Sequence, residues 1–124
     1  MLIFSLLLLA VCSLGMAALT HACALGKIRV NPLVGIRTSK TMVGDVSWRA
    51  GHAAAVQPMW VSGIAAAAIS LAGLLFLDAP GTQMVMVVLA CALLVMAIVY
   101  GTKLANVAAV EALIVEKPRR GSNR

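Results

Sequence analysis

The chain has 124 residues, 62% of them hydrophobic and 11% charged, with a mean hydropathy of +1.01. Long uncharged runs of this kind suit a bilayer core and argue against a water-soluble domain. The formal net charge of +6 falls in two blocks separated by apolar runs, which points to anionic lipid headgroups as partners and away from nucleic acid.

The first run, Met1 to Gly26 (MLIFSLLLLAVCSLGMAALTHACALG), carries no charged side chain and is long enough for a span over about residues 2–25. No Lys or Arg precedes it, it outruns the apolar core of a signal peptide, and basic residues follow it. It therefore reads as an uncleaved first helix. Thr20, His21 and Ala22 lack the leucine of a lipidation site at Cys23, and His21 lies near the basic end, where a neutral imidazole reaches headgroups or a carbonyl. Cys12, Cys23 and Cys91 all sit in apolar segments without metal-ligand spacing and read as small buried hydrophobes.

A polar stretch follows, Lys27 to His52 (KIRVNPLVGIRTSKTMVGDVSWRAGH), and half of the ten Lys and Arg residues are in it. Asn31-Pro32 and Gly35 break regular structure and predict an ordered turn over 31–39. Arg37, beside that turn, is placed to fork to phosphate or to satisfy carbonyls at a helix end. Thr41 is a helix-capping residue type, and Trp48, His52 and Val56 recur on one helical face, so Met42 to Gln57 is expected to form a short interfacial helix. Asp45 suits its first turn and precedes Arg49 by one turn, a stabilising pair. Trp48 reads as an interface anchor, and His52, one turn beyond it, has no partner visible in the sequence that would make it a proton sensor.

The second run extends from Ala53 to Leu77, with its span over 59–77 because Gln57 and Pro58 interrupt the pattern; a kink is expected near Pro58. Small residues four apart, Gly63 with Ala67 and Ser62 with Ala66, let another helix approach closely, whether a span of this chain or a second copy in a homo-oligomer. Asp78 to Gln83 (DAPGTQ) reads as a tight connection turned by Pro80-Gly81. The third span covers about 84–102, with Tyr100 at its far interface and Trp60 at the near end of the second. From Lys103 the pattern stays helical until Pro118, the expected stop, and 118–124 reads as a basic disordered tail.

The expected fold is therefore an all-α integral membrane three-helix bundle, a single domain over 1–117, with a basic loop and interfacial helix between the first two spans. Five Lys and Arg lie in the long loop, five lie from Lys103 onward and none in the Asp78 loop. The positive-inside rule then places the N-terminus outside and the loop and C-terminus in the cytoplasm. GIRTSK lacks the phosphate-loop pattern, no nucleophile set or carboxylate pair converges by spacing, and all four acids avoid the deep parts of the spans. Neither catalysis nor a metal or cofactor is expected.

Asn31-Pro32, the run Gly35-Ile36-Arg37-Thr38, Thr41, and Trp48 with His52 one turn later stand between two apolar runs. This arrangement resembles the signature of the SdpI family of small bacterial membrane proteins. The resemblance implies the three-helix plan, residence in the bacterial cell membrane, and an immunity or signalling role: resistance to a peptide toxin together with membrane capture of a cytoplasmic transcriptional regulator. It would make Asn31, Gly35, Arg37, Thr38, Thr41, Trp48 and His52 the partner-binding positions. The alternative from a different class is a structural or accessory subunit of a membrane transport complex.

Overall fold

A computed structural model of the chain describes residues 1–121, with side chains as far as Lys117. Among the described residues the architecture is all-α: α1 is Leu2–Ala24, α2 is Asp45–Gly73, α3 is Pro80–Gly121, and a single 3-10 turn, Thr41–Val43, precedes α2. All three α-helices are long and apolar enough to cross a membrane. The chain is thus a multi-pass membrane protein built as a three-helix bundle.

α1 has 23 residues, a length of about 35 Å at the usual helical rise, slightly more than a hydrocarbon core of about 30 Å. Its end is closed by a glycine. Gly26 adopts φ +75°, its N–H donates to the Cys23 carbonyl at 3.1 Å and the Lys27 N–H donates to the Ala22 carbonyl at 3.0 Å. These are the two bonds of a Schellman cap, which spares the last carbonyls of an apolar helix from burial without a partner.

α2 differs from the expectation of a separate interfacial helix over Met42–Gln57. The helix begins at Asp45 and runs unbroken through Pro58 to Gly73. Pro58 withholds one donor from the Ala54 carbonyl, and membrane helices tolerate such a loss. The helix also stops four residues before Leu77. Leu74, Leu75 and Phe76 fold back with N–H bonds to the carbonyls of Leu71, Ala72 and Gly73.

Pro80-Gly81 is not a turn. Pro80 is the first residue of α3, and the Ala79 carbonyl accepts the first helical bond, from the Gln83 N–H at 3.1 Å. A proline is well placed there, because the first-turn N–H has no helical acceptor. At the other end α3 passes the expected stop at Pro118 and continues to Gly121. Of the expected tail, residues 122–124 lie outside the described residues.

The chain divides into two compact units, one of 1–18 and 58–99, the other of 19–57 and 100–124. The first is packed through small residues. Leu6, Ala10, Ser13 and Ala17 of α1 are buried, as are Gly63, Ala66, Ala67, Ser70 and Gly73 of α2 and Gln83 and Ala90 of α3. Phe4, Val11, Val61, Val88 and Met96 point outward. Small inside and large outside is the pattern of helices solvated by lipid, where close backbone contact replaces hydrophobic burial as the source of cohesion. Cys12 and Cys91 belong to the outward set, contrary to expectation, and only Cys23 is buried.

Gly63 is the tightest point of this unit: a Cβ there would lie 2.9 Å from the Ser13 carbonyl oxygen and 3.4 Å from the Ala17 Cβ. A backbone carbonyl cannot rotate away. Gly63→Leu is expected to loosen the α1–α2 contact by about 1–3 kcal/mol, the usual range for overpacking, read as a lower thermal midpoint in mild detergent. Gly15→Ala, which meets nothing within 4 Å, is the control; an unchanged midpoint for both variants would refute the packing assignment.

Candidate functional site

The residues singled out by the sequence converge in the second unit, where the loop from Gly26 to Gly44 folds onto the first turns of α2. Local polar chemistry shapes it first. The Asn31 amide oxygen accepts the N–H groups of Leu33 and Val34 at 2.9 and 2.8 Å, while its amide nitrogen donates to the Arg29 carbonyl at 2.7 Å. Such an Asx turn reverses the chain over Pro32 without help from any other element.

Gly35 then adopts φ +104° and lies against two aromatic rings. A Cβ there would stand 2.7 Å from His52 Nε2 and 2.9 Å from Trp48 Cη2 and Cζ2. Both the dihedral and the approach demand glycine. The rings themselves are fully buried, with centroids 4.3 Å apart at an interplanar angle of 44°. One turn of helix places them on the same face, as the sequence spacing anticipated.

Each ring is bonded to main chain. Trp48 Nε1 donates to the Ile28 carbonyl at 2.9 Å. His52 Nε2 accepts the Ile36 N–H at 2.8 Å, and Nδ1 lies 2.7 Å from the Trp48 carbonyl oxygen, so Nδ1 carries the proton and donates it there. This is the neutral imidazole in one tautomer. A second proton, on Nε2, would face the Ile36 N–H donor. Trp48 is accordingly not an interface anchor but the centre of the loop's core, and His52 is a structural bridge with both nitrogens in use.

Thr41 likewise does not cap a helix alone. The Thr38 N–H donates to Thr41 Oγ1 at 3.0 Å and the Thr41 N–H donates to Thr38 Oγ1 at 3.2 Å, the reciprocal arrangement of a capping box. The Thr41 hydroxyl donates to the Ile36 carbonyl at 2.7 Å, and the Thr38 hydroxyl donates to the Asn106 side-chain oxygen on α3 at 2.6 Å. Thr41 is fully buried and fills the space left by Gly51, where a Cβ would come within 2.9 Å of Thr41 Cγ2 and 3.0 Å of the Ala105 carbonyl oxygen. Ser47 repeats the capping pattern for α2, accepting the Gly44 N–H at 3.1 Å.

Arg37 is the exception among these positions. One guanidinium nitrogen donates to the Pro32 carbonyl, clamping the turn, and the side chain stays exposed. Lys27, Arg29, Leu33 and Lys40 are exposed with it. Arg49, expected to pair with Asp45, instead directs Nε at the Ala24 carbonyl at 3.5 Å. Among the described residues no three His, Cys, Asp or Glu side chains come together as metal ligands.

All seven expected positions therefore belong to one loop structure, and Arg37 is the one among them whose charged side chain is exposed. Reasoning from the sequence missed Asn106, 68 residues from Thr38, and missed the carbonyls of Ile28, Ile36 and Trp48, which carry no residue-specific signal. Gly35→Ala tests the core. In a Trp60→Phe background, Trp48 emission should shift to longer wavelength as the ring becomes wet, with a stability loss of about 1–3 kcal/mol. An unshifted spectrum would mean that the loop tolerates a Cβ against the rings.

Comparison with curated proteins and with solved structures gives no match. Residues 27–101, which contain all seven of the expected positions and more than half of the chain, match the profile of the SdpI/YfhL protein family. With the signature residues assembled into one hydrogen-bonded loop and three apolar helices around it, the chain belongs to the SdpI/YfhL family.

Proposed function

We propose that the protein is a non-catalytic immunity or signalling module of a bacterial cell membrane. In this reading its spans meet a membrane-active peptide, and its basic loop is a cytoplasmic docking surface for anionic headgroups and a regulator. The observation that carries it is the loop's preformed state. Its buried polar side chains are bonded within the chain, which leaves a rigid surface bearing Arg37, Lys27, Arg29 and Lys40. A partner that binds such a surface meets little ordering cost. His52, the buried titratable group of the loop, has both nitrogens committed to main chain, which supports a binding role over proton-transfer chemistry. The five-zero-five distribution of Lys and Arg supports the cytoplasmic placement of loop and C-terminus.

The test is protection. Cells expressing the chain are challenged with a panel of membrane-active peptides, and wild type is compared with Arg37→Ala at matched membrane levels. Wild type is expected to protect against at least one peptide and Arg37→Ala to lose that protection, because its guanidinium faces outward while the buried core stays intact. Equal protection by both would remove the loop from the mechanism. Protection by neither, with a stable transporter co-purifying, would replace this reading with the accessory-subunit one.

A further inference from the structure

Arg29, Asp45 and Arg49 line one small cavity of about 120 Å³, closed by Gly26, Ile28 and Trp48. Its volume is several times the roughly 30 Å³ that one water occupies in the liquid. The three charged side chains are exposed, and among the described residues none of them forms an ion pair with another. That is unexpected for Asp45 and Arg49, which stand one helical turn apart, the spacing at which such a pair normally closes. Among the described residues Arg49 has only its long contact with the Ala24 carbonyl, and the Arg29 side chain makes no hydrogen bond.

The cavity also has a defined depth. It begins two residues after α1 ends, and α1 by itself covers the thickness of a hydrocarbon core. Its walls therefore stand at headgroup level. Two guanidinium groups would suit any phosphate, but a carboxylate in the same cavity repels a purely anionic ligand and attracts a cation. The ligand that satisfies all three is one with both charges.

We propose that this cavity binds a lipid headgroup carrying a phosphate and a primary amine, a phosphoethanolamine-type headgroup. Its phosphate lies between Arg29 and Arg49, and its ammonium donates to Asp45. Ile28 and the edge of Trp48 form the apolar wall beside the linking carbons. A trimethylated amine has no proton for Asp45 and a glycerol headgroup has no cation, so the site separates phosphoethanolamine from phosphocholine and phosphoglycerol. The assignment rests on the membrane placement of the loop but not on the immunity role. Lipid choice and peptide protection are measured separately, and either can fail alone.

The experiment is competition in mild detergent. The full-length chain is mixed with equal amounts of phosphatidylethanolamine, phosphatidylglycerol and phosphatidylcholine bearing identical acyl chains, and the first retained lipid is identified by native mass spectrometry. Phosphatidylethanolamine is expected to be retained about tenfold over either competitor, as one charge-assisted hydrogen bond provides. Asp45→Asn should abolish that preference without reducing phosphatidylglycerol retention, and Arg29→Gln should lower retention of all three. Arg29→Gln removes no hydrogen bond of the fold and stands as the second test if Asp45→Asn weakens α2. A wild type without preference, or an Asp45→Asn variant with the wild-type ratio, overturns the proposal. Displacement of the lipid by inorganic phosphate would reassign the site to soluble phosphate esters and overturn it as well.

Discussion

One imidazole closes the loop. His52 takes the Ile36 amide hydrogen on Nε2 and directs its own proton at the Trp48 carbonyl, and this joins the segment after Gly35 to the first turns of α2. The bond is possible only because Gly35 has no side chain and a positive φ, so that backbone can lie directly on the two rings. Trp48, held by Ile28, fixes the ring against which His52 packs at a tilt. Remove any of these and the others lose a partner in a buried setting, where an unmatched polar group is costly. The Thr38–Thr41 capping box and the Asn106 contact then extend the same closure to α3.

Much of the fold was legible because the bilayer restricts what a chain can do. Length and the absence of charge located α1 to within a residue of its observed end, and the small residues of the second run marked the buried face of α2. Where the reading went astray, it applied soluble-protein punctuation. Pro80-Gly81 and Pro118 suggest a turn and a stop, yet both lie in α3. A proline inside an apolar helix is punished less when neighbouring groups or small side chains accommodate it, and at the first position it is favoured.

The site was legible in membership but not in role. Asn31, Gly35, Thr38, Thr41, Trp48 and His52 were recognised as a set, and an outward-facing purpose was expected for them. Thr41, Trp48 and His52 are buried, and Asn31 and Thr38 hydrogen-bond within the chain, so these side chains also hold the loop's own shape. The reason is physical: a polar side chain has the same letter whether it meets a ligand or a carbonyl of its own chain, and the carbonyls of Ile28, Ile36 and Trp48 are supplied equally by every residue type. Among the seven positions Arg37 combines an internal bond with an exposed guanidinium.

The division between inward and outward residues has a consequence for what the loop tolerates. Leu33 and Lys40 contribute no side-chain hydrogen bond to the loop and face outward, Leu33 with 83% of its surface exposed. Substitutions there leave the capping box, the Asx turn and the ring pair untouched. The outer face of such a loop can therefore be rewritten at a few exterior positions without disturbing the hydrogen-bonded interior that gives it its shape.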